Sequence, residues 1–237
     1  MIELLRQYWP NYLYSDGFNA SGLVITLWLL VVSIVAGFLL AVPLAIARAS
    51  RNAWISRPVW VYTYVFRGTP LYVQLLLCYT GIYSLHFVHS NALLGDFFRS
   101  AMNCTLLAFA LNECAYATEI FAGAIRETSY GEIEAAQAYG MSKTKVYTRI
   151  ILPSALRRAL PSYSNEVILM LHATTLAFTA TVPDILKVAR DANSATYMTF
   201  QAYGIAAALY ASIVFALIWA FRRMESRMLA YLKPQGR

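Results

Sequence analysis

Three carboxylates stand inside otherwise apolar sequence: Glu113 and Glu119 in the run from Ser100 to Ile125, and Glu166 in the run from Pro161 to Thr181. A carboxylate at bilayer depth costs roughly 2.5–3.5 kcal/mol on insertion scales, so it turns to a partner helix or to a watery path. Helical spacing sorts the polar neighbours. Asn112, Tyr116 and Glu119 fall within about 40° of one another, with Glu113 on an adjoining face. In the other run Asn165 and His172, seven residues apart, share a face; Glu166 adjoins it, and Thr174 follows in the same stretch. Two such stripes can line one cavity, or they can hydrogen-bond between helices and only hold a bundle. All the fixed charge within the runs is negative and His172 is the one titratable cation, a set that favours a cationic solute such as a basic amino acid.

A second chemistry belongs to positions 134–153, EAAQAYGMSKTKVYTRIILP, a polar and basic insert between apolar runs. Glu132 to Tyr139 are helix formers, and Ala135, Ala136 and Ala138 leave little side-chain bulk. Gly140 can end that helix in a left-handed cap, Ser142 can cap a second short helix from Lys143, and Pro153 interrupts it. The product is a helix, turn, helix knob whose small residues admit a partner's groove, with Glu134, Lys143, Lys145 and Arg149 around the rim. A solvated amphipathic connector is the other reading of the same residues.

The surroundings are those of a membrane protein. Of 237 residues, 59% are hydrophobic and 13% charged, too few polar groups to coat a water-soluble globule of this size. Five spans are expected, at about 22–47, 71–88, 102–125, 161–183 and 199–221, in one transmembrane domain over 1–237, with a connecting loop at about 126–158. Alternate connections carry four and fifteen Lys and Arg, which places the N-terminus outside and the C-terminus in the cytoplasm. The positions 134–153 then face the cytoplasm.

The formal charge of +7 is spread over short loops, so no nucleic-acid partner is expected. Cys78, Cys104 and Cys114 lack metal or redox spacing, and His86 with His89 has no further ligand nearby, so no metal is expected. The N-terminus lacks the charged and apolar regions of a cleaved signal peptide. No GxxxxGK[ST] occurs; a nucleotide and its magnesium would sit on another chain, and this chain is expected to bind no cofactor and to have no catalytic residue of its own.

The pattern Glu-Ala-Ala, three residues, Gly, nine residues, Ile, one residue, Leu-Pro falls on Glu134, Ala135, Ala136, Gly140, Ile150, Leu152 and Pro153. It resembles the cytoplasmic EAA loop of ABC importer permeases. FRGTPLYVQL (66–75), TEIFAGAIR (118–126) and SNEVILML (164–171) resemble the polar amino acid branch, most of all the M-type permease subunits of histidine and lysine/arginine/ornithine importers. That resemblance implies the all-α type I ABC importer permease fold: five transmembrane helices with the EAA coupling loop between the third and fourth. It implies a subunit of the bacterial inner membrane that pairs with a homologous permease as a heterodimer. Two cytoplasmic ATPase subunits using ATP and Mg would dock on the EAA loop, and a periplasmic binding protein would deliver a basic amino acid. The branch commonly reads Lys-Asp-Thr-Ser-Leu or Lys-Asn-Thr-Ser-Leu where this chain has His172, Ala173, Thr174, Thr175 and Leu176. A proton-coupled secondary carrier using the three glutamates and His172 as a relay, or a scaffold that docks an ATPase while its partner holds the solute, are the competing readings.

Overall fold

Apolar segments that leave water must close their backbone hydrogen bonds internally, which makes helices the natural outcome for these runs. In the computed structural model, which describes residues 2–230, every regular element is helical. The order is α1 (Ile2–Leu13), α2 (Leu23–Arg48), α3 (Ala53–Gly68), α4 (Leu71–Leu76), α5 (His86–Ser90), α6 (Ala92–Arg99) and α7 (Ala101–Arg126). Then come α8 (Tyr130–Ala138), α9 (Lys143–Val146), α10 (Leu152–Thr174), α11 (Ile185–Thr196) and α12 (Thr199–Met228). Wider π-helical turns continue α4 over Leu77–Ile82 and join α9 to α10 over Tyr147–Ile151. Side-chain burial is described for all of these residues except Ile2, Glu3, Leu5 and His89. Lys233 and Arg237, counted above on the positive side, lie outside the described residues.

The axis of the bundle is α7, which packs along α2 and carries α3, α4 and α10 around it. Its sequence explains the close approach: Ala108, Ala115, Ala117 and Ala122 are buried, and Gly37 of α2 lies directly against Glu113. Leu29, Leu75, Phe109, Leu171 and Ile185 fill one core. Ala41, Cys114, Phe121, Val146 and Ala155 fill a second, where the rings of Phe38, Phe121 and Tyr163 meet with centroids 5.1–5.8 Å apart.

The chain's two ends are fastened together. The Tyr12 hydroxyl donates to Ala202 O (3.0 Å), Gly22 N to Pro183 O (2.8 Å) and Ile185 N to Thr26 Oγ1 (3.1 Å). Gly22 is required there: its φ is +59°, and a Cβ would sit 2.1 Å from Tyr12 O. Asp184, fully buried beside this crossing, caps α11 by accepting from Lys187 N (2.9 Å) and takes a second bond from the Tyr210 hydroxyl (3.1 Å).

Several helix bounds differ from the expected spans. α10 begins at Leu152 and passes through Pro161, where the fourth span was expected to start. It gives way to a 3-10 segment at Thr175–Ala180, closed by Thr181 with φ +64°. The loop expected at 126–158 therefore holds α8, α9 and the first two turns of α10. The second expected span is α4 with its π turn, which ends at Ile82. An additional helix, α3, fills the stretch before it, capped by Asn52 Oδ1 accepting from Trp54 N (3.0 Å). Among the described residues, α2 and α12 are the two helices long and apolar enough to cross a membrane by length and composition alone.

Candidate functional site

Where α3 ends, Arg67 comes opposite one face of α7 and one of α10, and the three enclose an open cleft of about 630 Å³. Tyr116 and Glu119, one helical turn apart, form the α7 wall; Ser162, Asn165 and Glu166 form the α10 wall just past Pro161. The Arg67 guanidinium lies over the Tyr116 ring, 5.1 Å from its centroid, and the Tyr116 hydroxyl donates to Arg67 O (3.4 Å). Among the described residues, neither the Arg67 guanidinium nor the Glu166 carboxylate makes a hydrogen bond or an ion pair.

Glu119 is occupied differently. Its Oε1 accepts from Arg48 Nε (2.6 Å) and from Thr63 Oγ1 (2.6 Å), so α2, α3 and α7 meet at one oxygen. Arg126 braces this node by donating from Nη2 to Arg48 O (2.9 Å). Glu119 and Arg67 also border a neighbouring hollow of about 360 Å³ with Arg48, Trp60, Thr63 and Tyr64.

The remaining polar residues singled out from the sequence are not at the cleft. Asn112 Nδ2 donates to Phe66 O (3.2 Å) and Gln74 Oε1 (3.1 Å), which pins α7 to the turn between α3 and α4. Glu113 is fully buried toward α2, and Thr174 is fully buried with its hydroxyl donating to Leu171 O (2.6 Å). His172 is exposed on α10 and does not line the cleft. Of the eight residues expected along one path, the fold gathers Tyr116, Glu119, Asn165 and Glu166. It adds Arg67, a fixed positive charge brought from α3, outside the two runs that carry the carboxylates. The signal for Arg67 was available: Asn52 caps a segment free of glycine up to Gly68, which makes a helix that ends beside Arg67.

The positions 134–153 fold as the knob they spell. α8 ends at Ala138, Gly140 adopts φ +73°, and Gly140 N to Gln137 O (2.8 Å) with Met141 N to Ala136 O (3.2 Å) close the left-handed cap. Ser142 occupies the N-cap position of α9 but makes no side-chain capping bond, contrary to the sequence expectation. Ala136 is buried in the second core, while Glu134, Ala135 and Gly140 are exposed and Tyr139 is 90% exposed. Ile150, Leu152 and Pro153 are half-buried, and Pro153 sits in the first turn of α10, where its missing N–H goes unnoticed. Arg158 ties that helix back to α7 by donating from Nη2 to Ala124 O (3.0 Å) and Thr128 Oγ1 (2.8 Å). No group of three His, Cys, Asp or Glu able to hold a metal occurs among the described residues.

The family model for the binding-protein-dependent transport system inner membrane component matches residues 33–230. The chain belongs to this family. Within it, the chain is 61% identical over 236 residues to the histidine/lysine/arginine/ornithine transport system permease protein HisM of Escherichia coli (strain K12), covering 100% of this chain and 99% of the relative. It is 41% identical over 192 residues to the nopaline transport system permease protein NocM of Agrobacterium fabrum, covering 81% of this chain and 80% of the relative. Among solved structures it is similar to an amino acid ABC transporter crystallised with histidines, with a TM-score of 0.79 and 29% identity over 94% of this chain and 96% of that one. The methionine transporter MetNI, at 16% identity and a TM-score of 0.70, covering 96% of this chain and 97% of that one, shares the fold. This inner membrane component is thus a transport subunit of the ABC permease type, and ATP hydrolysis belongs to a separate subunit of such systems.

Proposed function

We propose that this chain is the permease subunit through which an ATP-driven importer passes basic amino acids, such as histidine, arginine, lysine or ornithine, into the cytoplasm. The full-length similarity to a histidine/lysine/arginine/ornithine permease carries the reading, and the cleft holding the unpaired Glu166 fits it chemically. A cationic solute would find a carboxylate there that no other group among the described residues has taken. In this reading five spans cross the membrane with the N-terminus periplasmic. The partner is a homologous permease in a heterodimer, and a periplasmic binding protein supplies the amino acid.

The knob formed by α8, Gly140 and α9 is the coupling element. Its outward residues Glu134, Ala135 and Tyr139 would enter a groove of the cytoplasmic ATPase, so that closure of two ATPase subunits around ATP and Mg moves the bundle between inward- and outward-facing states. The test is uptake of radiolabelled arginine, histidine and glutamate into proteoliposomes holding the complete complex and its binding protein. Arginine and histidine should accumulate only with ATP, glutamate should not, and Glu134→Lys should abolish uptake together with ATPase binding. Accumulation driven by a proton gradient without ATP overturns the reading. Arginine uptake indifferent to Glu166→Gln assigns the solute site to the partner permease.

A further inference from the structure

Behind the knob, α8 closes over a separate pocket. Tyr130, Ile133 and Gln137 recur on one side of α8, and with the ends of α2 and α7 and the start of α9 they enclose about 490 Å³. Its floor is apolar, made by the buried Ile125, Val146 and Ile151, while Arg51, Arg126 and Lys143 stand exposed around the mouth. No carboxylate lines the pocket, and among the described residues none of the three cations is in an ion pair. We infer that this pocket holds an anionic phospholipid, with its phosphate among Arg51, Arg126 and Lys143 and its glycerol and upper acyl carbons on the apolar floor. The inference rests on the cytoplasmic placement of the knob proposed above.

Three cations gathered without a counter-charge repel one another, and a phosphodiester that meets two or more of them relieves the repulsion. They are lightly engaged as they stand: Arg51 Nη2 donates to the Tyr130 hydroxyl (3.2 Å) and Arg126 Nη2 to Arg48 O (2.9 Å). A free phosphate would meet the charges and leave the floor bare, so the apolar depth selects a phosphate that carries hydrocarbon. The level is that of headgroups. α2 and α7 end at Arg48 and Arg126, and Trp54, 90% exposed, stands three residues beyond Arg51, where an indole suits a membrane boundary. Ala135 and Tyr139, proposed above to meet the ATPase, lie roughly 150–170° around α8 from the pocket. A lipid and a protein partner can therefore hold α8 at once from opposite sides, and the lipid sets how firmly the knob is seated.

The test is retention of a photoactivatable phosphatidylglycerol by the purified complete complex in detergent, against zwitterionic phosphatidylcholine carrying the same group. The unaltered complex should retain the anionic lipid at least about tenfold better, the sum of two or more such contacts, and crosslink it within positions 125–151. Arg51→Gln, at an exposed position, should weaken its retention about fivefold, the worth of one cation beside a phosphate. Arg51→Gln/Lys143→Gln should bring it down to the level of phosphatidylcholine. Arg222→Gln/Arg223→Gln removes the same charge from α12, away from the pocket, and should leave retention of both lipids unchanged. If the pocket variants keep the preference, if the α12 variant loses it equally, or if the crosslinks fall elsewhere, the assignment is overturned. Displacement of the lipid by millimolar inorganic phosphate overturns it in favour of a free anion. Binding is read without ATP or solute, so selective retention with no arginine uptake defeats the transport reading alone, and uptake without selective retention defeats only the lipid site.

Discussion

Glu113 and Glu119 are six residues apart on α7, both within the bundle, and the fold treats them in opposite ways. Glu119 satisfies one oxygen twice over, from Arg48 and from Thr63, and fastens three helices. Glu113 is fully buried, and among the described residues neither of its oxygens finds a hydrogen bond, nor do the hydroxyls of Ser33 and Tyr163 on the helices packed against α7. Less than two turns of helix thus separate a charge used as mortar from one left as an unmet demand. The difference teaches that carboxylates in apolar sequence are not interchangeable evidence of a path: a partner on the next helix removes one from the solute's reach, and burial removes another.

The sharpest way to break this comparison is to disturb the contact that seals Glu113. A Cβ on Gly37 would lie 2.5 Å from Glu113 Cγ and 2.9 Å from its Cβ. Gly37→Ala should therefore push α2 off α7, destabilise by about 3 kcal/mol and depress recovery of assembled complex. A melting temperature equal to that of the unaltered protein would show that the helices do not touch there. Next in size is Arg48→Ala, which strands Glu119. With both side chains partly exposed, the loss should be about 2 kcal/mol. The double variant Arg48→Ala/Glu119→Ala should lose less than the two single losses added together.

A third carboxylate, Asp184, extends the contrast to a group that is both buried and bonded. Burial pushes its carboxyl up to about 6 from 3.8, against the bonds from Lys187 and Tyr210 that favour the charged form. A raised folded value means that its protonated form is preferred in the fold. The stabilisation is complete below about pH 4 and is lost as pH rises through about 6, a swing of about 3 kcal/mol. Thermal melting between pH 4 and 7.5 should trace that fall, and Asp184→Asn should flatten its share of the curve. Smallest is Glu113→Gln. Replacing an unbonded carboxylate by an amide of equal size should change stability by less than about 1 kcal/mol, and a loss beyond about 2 kcal/mol would reveal a partner for Glu113.

Much of this was legible in the residues. The knob could be read because Ala-rich helix, Gly140 and Pro153 are each tied to one backbone conformation, and the observed φ of +73° at Gly140 follows from that chemistry. Glu119 took the second of the two roles open to a polar stripe, holding the bundle, with Arg48 as its ion-pair partner while Arg126 reaches only a backbone oxygen. Helical spacing correctly separated Glu113 from the face shared by Tyr116 and Glu119. It could not say that Asn112, on that same face, would be claimed by Gln74 and Phe66, because those partners arrive from two other helices, α4 and α3. Arg67 was obscured because a basic residue in a positively charged connection reads as an anchor until α3 is recognised and its end is placed against α7 and α10.

The stitching of the chain's two ends has a consequence for the order of assembly. The backbone partners of Tyr12 and Gly22 are Ala202 and Pro183, and the amide held by Thr26 belongs to Ile185. A ribosome adding roughly 5–20 residues each second reaches those positions about 10–40 s after the first helix has emerged. Through that interval α1 is made but unfastened, and the last helices to be synthesised are the ones that lock the first into place.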